Sequence, residues 1–406
     1  MTPRFLHPYG KPAKRKSAYR ELVRGEGVRL WDNEGNEYID GMGSLWLCQV
    51  GHGRKEISSA VEKQLNMSIY NVFDPWSNAV TEELAERVAD LSPLENSRVF
   101  LCGSGSEAID SAFKISRLVA QLKGDKDRQI MVRRTRGYHG VAMGGTSLQG
   151  IAPNREGWGD LLPHVVEIDP DDIESAARLF AEHGDRIAAV VTEPVQGAGG
   201  VWPPTDEYLR RLRDMCDKAG SLLVFDEVIC GFGRTGEWFG AQTFGVQPDL
   251  MTFAKGVTSG YQPLGGVVIS RAVCDVLEAD PDFYFRHGYT YSGHPAGCAA
   301  GLVNIDIIER EGLVQRAKEI GEHYSAGLAA MVADGTLSGY RGVGALWSAQ
   351  LPAGTAPEQT VAYRDEMLDK GVIFRPIGDS LAFCPPLTIN DADLDICLDV
   401  MAKVIS

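Results

Sequence analysis

Two residues that can carry covalent and acid–base chemistry follow short apolar stretches of the chain. Lys255 comes directly after residues 250–254, and Asp226 comes directly after residues 222–225. An amine held in apolar surroundings loses proton affinity and can attack a carbonyl group to form a Schiff base. A carboxylate can hold the proton of a pyridine nitrogen. Because pyridoxal phosphate needs both groups, the pair predicts a site for this cofactor.

Both residues also have ordinary structural interpretations. A carboxylate buried at the end of an apolar strand needs a cationic partner, and the spacing allows Asp226 to pair with an arginine such as Arg234. A lysine beside a glycine, as in Lys255-Gly256, is usually a surface residue. The functional interpretation therefore depends on the other motifs of the chain.

A turn that suits a phosphate group lies earlier in the sequence. Residues 102–108 pass from an apolar stretch into a helical pattern, and Ser104 and Glu107 have the spacing of a capping box. The small residues Gly105 and Ser106 let a phosphate approach the free N–H groups and the positive dipole end of the helix. Since capping boxes without a ligand are common, this motif alone leaves both interpretations open.

Two further motifs place aromatic or polar groups where a flat cofactor could lie. Tyr138 and His139 stand between Gly137 and Gly140, and the ring of Tyr138 would suit stacking on a flat ligand. The alternative is a buried Tyr–His pair in an ordinary turn. Glu193 follows an apolar stretch and precedes a glycine-rich loop, and such strand-end polar groups are usually site residues when several converge.

The patterns around these motifs predict an α/β fold. Residues 29–40 alternate as a hairpin would, and helix and strand patterns then alternate to about residue 290. Buried strands are expected at residues 187–191 and 221–225, joined by a helix that Thr205 would cap and Gly220 would end. Repeated units of this kind form a parallel sheet covered by helices, and ligands bind outside the carboxyl ends of its strands.

The chain is long enough for two domains. We expect residues 1–44 to be an N-terminal segment that joins the small domain, residues 45–294 to form the large cofactor-binding domain, and residues 295–406 to form a smaller α+β domain.

Composition points to a globular protein that handles small molecules. The chain has 406 residues, 44% of them hydrophobic, and a net charge of −15, which opposes a nucleic-acid partner. Its eight cysteines form no Cys-x-x-Cys pair, so we expect no metal site and no disulfide framework, but reduced thiols in the cytoplasm. The basic N-terminal stretch lacks the apolar segment of a secretory signal, and no apolar run approaches the ~20 residues of a membrane span.

Together these segments resemble the class III aminotransferases, the subgroup II branch of the fold type I pyridoxal phosphate enzymes. Among them the chain is most similar to the ω-amino acid:pyruvate and amine transaminases, and the resemblance covers nearly its whole length. The motifs that carry it are residues 40–46, 103–108, 138–140, 193–197, 225–236, 254–256 and 289–295.

The resemblance implies roles around the cofactor ring. Lys255 would form the Schiff base, and Asp226 would be the partner of the pyridine nitrogen. Val228 would pack on one face of the ring and Tyr138 would stack on the other, with His139 also among the cofactor-binding residues.

The resemblance also implies a phosphate site that two subunits share. Gly105 and Ser106 would hold the phosphate, Thr290 would reach it from the neighbouring subunit, and Glu193 would support Asp226 and the oxygen side of the cofactor. The family thus implies an obligate homodimer with two shared active sites.

On the substrate side, Trp46, Phe73 and Tyr138 match aromatic positions that line the pocket of ω-transaminases. Arg375 matches an arginine that clamps a substrate carboxylate, such as that of pyruvate, and swings away for an uncharged amine. A salt bridge within the small domain is the alternative role for Arg375. The segment before Arg29 is shorter than in relatives and often closes over the pocket there, so the resemblance does not set the accepted substrate size.

Two other functions remain open from sequence alone, and a third is disfavoured. The chain could be an aminotransferase for one biosynthetic intermediate, such as diaminopelargonate, ornithine or γ-aminobutyrate. It could also be a pyridoxal phosphate-dependent aminomutase or racemase, which needs no separate keto acid. A regulator that senses the cofactor would need a DNA-binding module, and the proline-broken N-terminal arm is too short to supply one.

Overall fold

A computed structural model describes residues 2–70, 72–205 and 207–406. The strands are β1 (Leu22–Glu26), β2 (Arg29–Asp32), β3 (Glu37–Ile39), β4 (Arg98–Cys102), β5 (Ile130–Arg134), β6 (Val165–Ile168), β7 (Ile187–Thr192), β8 (Leu222–Asp226), β9 (Leu250–Phe253), β10 (Gly265–Ile269), β11 (Gly339–Val343), β12 (Leu346–Gln350), β13 (Arg375–Ile377) and β14 (Ser380–Phe383).

The helices are α1 (Gly43–Trp46), α2 (Lys55–Met67), α3 (Ala79–Leu91), α4 (Gly105–Leu122), α5 (Met143–Leu148), α6 (Ile173–His183), α7 (Tyr208–Ala219), α8 (Gly240–Phe244), α9 (Arg271–Glu278), α10 (Pro295–Arg310), α11 (Leu313–Ala333), α12 (Pro357–Asp369) and α13 (Asp391–Ile405). Within the described ranges, no helix is both long and apolar enough to cross a bilayer.

The central sheet is mixed but mostly parallel. In the described residues it has seven strands in the order β4-β10-β9-β8-β7-β5-β6, and β10 runs against both of its neighbours. Strands covered on both faces by helices are expected to be apolar throughout, and every residue of β7 and β8 is buried. Helix α4 packs across β10, β9 and β7. The predicted α/β architecture is confirmed.

The predicted strand–helix–strand unit is formed by β7, α7 and β8. As predicted, α7 ends at Gly220, whose φ of 70° only glycine adopts readily. The predicted start of this helix was wrong. The helix α7 begins at Tyr208 with Glu207 as its N-cap, and the Thr205 carbonyl accepts from the backbone N–H of Tyr208.

The carboxyl ends of the parallel strands meet at one edge of the central sheet, which we call the site edge. Strands β4, β5, β7, β8 and β9 all point toward it, because β10 is antiparallel to both β4 and β9. Gly105, Tyr138, Glu193, Asp226 and Lys255 stand at or just after these strand ends. Sheet topology alone therefore brings the predicted cofactor residues to one edge.

The N-terminal sheet β1-β2-β3 contains the predicted hairpin, formed by β2 and β3. Its last strand joins the C-terminal part of the chain: the Ile39 N–H donates to the Gly371 carbonyl (2.8 Å), and the Ile373 N–H donates to the Ile39 carbonyl (3.0 Å). These bonds support the prediction that the N-terminal segment belongs with the small domain, whose antiparallel sheet has the order β11-β12-β14-β13.

Packing crosses the predicted boundary at residue 295. Helix α10, which begins there, packs mainly on α2 and α3, whereas α11 packs on β11 and α13. The division into residues 1–44, 45–294 and 295–406 stays a prediction.

A buried polar network connects the small sheet to the central sheet. The guanidinium of the fully buried Arg234 donates to the carbonyls of Ala345 (3.1 Å) and Pro385 (2.6 Å) and to Oε1 of Gln49 (2.7 Å). The Gln49 N–H in turn donates to Oγ of Ser259, in the turn after Lys255 (3.1 Å). Because buried acceptors are costly without a donor, this network fixes how the two parts of the chain meet.

Removing this guanidinium should destabilise the fold. Arg234→Met leaves two carbonyls and the Gln49 amide oxygen without their donor, so we expect the free energy of unfolding to fall by about 3 kcal/mol, measured by chemical denaturation. Arg178→Met is the matched control, because Arg178 is exposed and lies 3.4 Å from Asp172. The control should change the free energy by less than about 0.5 kcal/mol. Equal losses in the two variants would contradict the role of the network.

Candidate active site

Asp226, the last residue of β8, is held by three donors. Its Oδ1 accepts from the N–H of Val228 (3.1 Å) and from Oγ1 of Thr252 (3.3 Å), and its Oδ2 lies 2.8 Å from Nδ1 of His139. The residue is only 4% exposed. The alternative partner, Arg234, is engaged with two carbonyls and Gln49 instead. Asp226 is therefore oriented at the site edge without an arginine.

The hydrogen bonds of His139 assign its tautomer. Its Nε2 is buried and has no partner among the described residues. A bare ring nitrogen costs less there than an unpaired N–H, so the proton belongs on Nδ1, which donates to Asp226. His139 is thus a neighbour that orients Asp226, rather than half of an isolated Tyr–His pair.

Lys255 is separated from the end of β9 by one residue, Ala254, and begins a single 3-10 turn, Lys255–Val257. Its φ of 44° is unusual for a residue with a side chain, and such strain often occurs at functional sites. Burial lowers the pKa of the Lys255 amine, while the negative charges of Asp226 and Glu193 oppose that shift. The amine is therefore more readily available as an uncharged nucleophile than that of a surface lysine.

The turn after Lys255 is held by a residue that the sequence motifs did not reveal. Nδ2 of Asn304, in α10, donates to the carbonyls of Gly256 (2.8 Å) and Val257 (3.0 Å), and its Oδ1 accepts from Ser259 Oγ (2.5 Å). The available signal was a polar residue within the apolar helical stretch, because a fully buried amide needs partners. Thr252, the polar residue of the otherwise apolar strand β9 that donates to Asp226, was missed for the same reason.

Glu193 supports the surrounding backbone. Its Oε1 accepts from the N–H of Tyr138 (2.9 Å) and its Oε2 accepts from the N–H of Gly197 (2.9 Å). Burial, with only 3% of the residue exposed, raises the pKa of Glu193 to about 7, and Asp226 adds to this shift while His139 and the two backbone donors oppose it. The residue lies in the electrostatic neighbourhood of Asp226, but its hydrogen bonds position the Tyr138 turn.

The loop after Glu193 is also held by two arginines. The guanidinium carbons of Arg136 and Arg341 lie 4.3 and 3.6 Å from the centre of a Trp202 ring. Arg341, in β11 of the small sheet, also donates to the Gly200 carbonyl through Nε (3.0 Å) and Nη2 (2.7 Å). The small sheet thereby braces the loop that Glu193 anchors.

The second acid of the Asp226-Glu227 pair is structural. Glu227 is fully buried, and its two oxygens accept from the N–H groups of Gly240 (2.8 Å) and Ala241 (2.7 Å) at the start of α8. Burial raises its pKa to about 7. Neighbouring carboxylates in the sequence therefore have separate tasks, because their side chains leave the strand in opposite directions.

The predicted phosphate turn opens α4. Ser104 is the N-cap and accepts from the Glu107 N–H (3.2 Å), while Glu107 accepts from the Gly103 N–H (2.6 Å) instead of completing a capping box with Ser104. Among the described residues, the N–H groups of Gly105 and Ser106 have no acceptor. Two uncommitted donors at a helix N-terminus make a suitable anion site.

Glycines let the neighbouring turns close around this anion site. A Cβ on Gly105 would lie 3.1 Å from both methyl groups of Val228, and one on Gly140 would lie 2.5 Å from Oγ of Ser106. That Oγ accepts from the N–H of Val141 (3.1 Å). The phosphate turn, Val228 and the Tyr138 turn are thus in direct contact.

These residues fit pyridoxal phosphate. The uncommitted N–H groups of α4 suit its phosphate, Asp226 suits its pyridinium, and the Lys255 amine suits its aldehyde. Val228 and Tyr138 stand on the turns beside the phosphate site. An anion site, an oriented carboxylate and a desolvated amine are rarely found together outside a functional site.

On the substrate side, Tyr138 and Arg375 are neighbours. Burial lowers the pKa of Arg375, while the hydroxyls of Tyr138 and Tyr9 oppose this shift. Among the described residues no carboxylate pairs with Arg375, although it lies in β13 of the small sheet. The alternative of a salt bridge within the small domain is therefore not what the structure contains. Tyr9, whose OH lies 3.4 Å from that of Tyr138, was not predicted from the sequence.

The remaining predicted residues, Trp46, Phe73 and Thr290, lie in two separate places. Trp46, at the end of α1, has a φ of 64° and is only 2% exposed, packed in a cluster with Val195 and Ile229. Phe73 is 49% exposed and lies against Gly288, close in sequence to the exposed Thr290. Phe73 and Thr290 thus share an outward-facing surface of the chain.

Comparison with known proteins agrees with this site. The family model described as aminotransferase class-III matches residues 11–405. A putrescine–pyruvate aminotransferase of Pseudomonas aeruginosa is 36% identical over 411 residues, covering 95% of this chain and 90% of that protein. A β-alanine–pyruvate aminotransferase of the same organism is 37% identical over 411 residues, covering 95% and 92%.

A solved structure agrees as well. An amine transaminase from an uncultivated Pseudomonas species, in its pyridoxal phosphate-bound form, superposes with a TM-score of 0.95 at 33% identity and covers 100% of this chain and 99% of that one. The fold type and the cofactor expected from the sequence are confirmed by these matches. The chain therefore belongs to the class-III aminotransferases, and it is a pyridoxal phosphate-dependent enzyme that transfers amino groups to a keto acid.

Proposed function

We propose that this enzyme transfers the amino group of an amine or ω-amino acid to pyruvate in two half-reactions at one site. The observation that carries the proposal is Arg375, a partly buried guanidinium beside Tyr138 that pairs with no carboxylate among the described residues. A buried cation without an anion is a costly arrangement that a substrate carboxylate relieves.

The similar proteins support this choice of substrates. The two relatives from Pseudomonas aeruginosa take putrescine, which has no carboxylate, and β-alanine, which has one, and the names of both give pyruvate as acceptor. Donors of either kind fit a site in which one arginine recognises the acceptor. A planar guanidinium forms two parallel bonds to a carboxylate, so Arg375 would fix the orientation of pyruvate.

The residues at the site edge divide the chemistry. Bound pyridoxal phosphate supplies an aldehyde that takes up the amino group and a ring that draws electrons from the substrate carbon. Lys255 Nζ, with its lowered pKa, would accept the proton of that carbon and return it, a contribution of about 10²- to 10⁴-fold. Asp226 would keep the ring nitrogen protonated, and His139 Nδ1 would keep Asp226 oriented.

The other predicted positions would complete the cofactor site. Gly105 and Ser106 would bind the phosphate through their N–H groups, Val228 and Tyr138 would cover the ring, and Glu193 would hold the Tyr138 turn in place. Trp46 would lie behind the substrate pocket.

We also propose a homodimer with shared active sites. Phe73 lines one surface groove with the exposed side chains of Ile69, Tyr70 and Trp76, and it lies against Gly288, close in sequence to the exposed Thr290 and Tyr291. Exposed apolar patches of this kind are typical of subunit interfaces. A second chain docked there would receive Phe73 and Thr290 in its own site.

Two further expectations, on the domain division and on the cellular location, accompany the proposal. The large domain would be residues 45–294, with residues 1–44 and 295–406 forming the small domain that carries Arg375. The enzyme would work in the cytoplasm, since all eight cysteines are buried and unpaired and the chain holds its fold without disulfides.

Lys255→Ala should abolish covalent attachment of the cofactor. In the wild type, (S)-1-phenylethylamine or β-alanine should remove the visible absorption band of the bound cofactor, and pyruvate should restore it as alanine forms. The variant should show neither change and should lose at least about 10²-fold in turnover, whereas the exposed control Lys218→Ala should behave as wild type. Turnover without pyruvate would favour an aminomutase or racemase instead.

Arg375→Met should impair the keto acid half-reaction selectively. Loss of a bidentate charged contact should raise the KM for pyruvate by roughly 10- to 100-fold, measured in single half-reactions. The rate with (S)-1-phenylethylamine should change by less than about threefold, since this donor has no carboxylate. Arg364→Met, which removes a partly exposed arginine paired with Asp365, is the control. An equal loss with both substrates would argue against a carboxylate clamp.

Mixed dimers should test the shared site. Lys255→Ala chains and Thr290→Asp chains should each be inactive, the second because a carboxylate would repel the phosphate. When unfolded and refolded together, they should regain activity at about a quarter of the sites, since half of the mixed dimers' sites combine a wild-type Lys255 with a wild-type Thr290. If Thr290 served the site of its own chain, mixing would restore nothing.

A further inference from the structure

The N-terminal arm, residues 2–20, has a charge opposite to that of the protein. The first 20 residues contain no Asp or Glu, whereas the whole chain has 55 acidic residues and a net charge of −15. The basic residues of the arm are Arg4, Lys11, Lys14, Arg15, Lys16 and Arg20, and all six are exposed.

Most of this positive charge is not neutralised. Arg20 forms an ion pair with Asp369 (2.5 Å) and donates to the hydroxyl of Tyr38 (2.8 Å), which fastens the base of the arm. Among the described residues, the other five basic side chains pair with no carboxylate. A cluster of unpaired cations creates a local electrostatic field, and dissolved salt screens this field beyond about one Debye length.

The arm reaches the mouth of the active site. The hydroxyl of Tyr9 lies 3.4 Å from that of Tyr138. Tyr9 also opposes the lowering of the Arg375 pKa by burial. Tyr9 remains 72% exposed, so it stands at the opening of the site and not inside the protein. A hydroxyl contact of 3.4 Å is longer than a good O–H···O bond, so this end of the arm is held only loosely.

Contacts within the arm keep its lysines near Tyr9. The ring of His7 stacks on that of Tyr19 at 3.9 Å, and Nζ of Lys14 lies 4.2 Å from the centre of the same Tyr19 ring. A Cβ on Gly10 would lie 3.4 Å from the Tyr19 hydroxyl. The Tyr19 side chain therefore contacts Lys14 with its ring and approaches Gly10, the residue after Tyr9, with its hydroxyl. Lys11 is only two residues from Tyr9 in the chain, so part of the positive charge of the arm stays close to the site mouth, where a charge acts over about 10 Å at about 0.1 M salt.

We propose that this arm is an electrostatic guide that draws anionic ligands, above all the keto acid, into the active site of an otherwise acidic protein. This inference rests on the proposed function. Pyruvate carries one negative charge and would be attracted, β-alanine is a zwitterion and would be little affected, and putrescine is a dication and would be repelled. The arm thus biases the two half-reactions in opposite directions, while Arg375 acts only after the acceptor has entered.

Two variants of equal charge separate the guide from a general effect of net charge. In the arm variant Lys11, Lys14, Arg15 and Lys16 become Gln. In the control variant four exposed residues at the opposite, amino-terminal edge of the central sheet become Gln, namely Lys123, Lys126, Arg186 and Lys218. All eight side chains are exposed, so both variants should fold as the wild type does, which thermal melting checks.

The measurement is the second-order rate constant of each half-reaction, followed by the visible absorption of the enzyme at increasing salt. At low salt the arm variant should react with pyruvate roughly fivefold more slowly than the control variant, with β-alanine about equally fast, and with putrescine faster. The difference should vanish near about 0.5 M salt, where charges are screened within a few Å. The maximal rate at saturating pyruvate should be unchanged.

Binding of the cofactor gives a readout that does not depend on turnover. The rate at which pyridoxal phosphate quenches the fluorescence of the apoprotein should also be slower in the arm variant at low salt, because this ligand is an anion. Equal rates and equal salt dependence in both variants would overturn the guide. If the wild type reacted with no amine and no pyruvate, the proposed substrates would be wrong, and the quenching rate alone would still decide whether the arm attracts anions.

Discussion

The active site depends on keeping an amine and a carboxylate in surroundings where neither is well solvated. Isolated charges are costly in a protein interior, so each of these groups must be held by its neighbours. Asp226 has three donors from separate elements, and the turn of Lys255 is held by Asn304 from α10. Most of the polar contacts around the site edge can be understood as consequences of this requirement.

Three buried or nearly buried carboxylates at this edge illustrate how the environment separates their tasks. Glu227 accepts two backbone N–H groups of α8 and Glu193 accepts two from the Tyr138 turn and the following loop. Both have a raised pKa because they are desolvated, and both hold backbone in place. Asp226 differs because a histidine and a threonine orient it, which leaves it the one suited to a cationic ligand group.

Chemistry and recognition come from different parts of the chain. The central sheet supplies Lys255, Asp226 and the phosphate turn, whereas the small sheet supplies Arg375. The network around Arg234 and the contacts of Arg341 with the loop after Glu193 fix the relation between the two sheets. The position of the guanidinium relative to the amine is thus a property of the packing between parts, since no local segment contains both groups.

The sequence by itself determined the α/β alternation and the cofactor. Apolar runs that end in Asp226 and Lys255, and small residues before α4, reflect local rules of burial and helix capping, so they could be interpreted without coordinates. Tertiary structure alone decided which partners the buried polar groups have. Spacing allowed Arg234 to pair with Asp226, but packing gave Arg234 to Ala345, Pro385 and Gln49, and it brought Asn304 to Lys255 and Tyr9 to Tyr138. Hydrogen bonds between residues far apart in the chain depend on how the layers meet, and no local pattern encodes that.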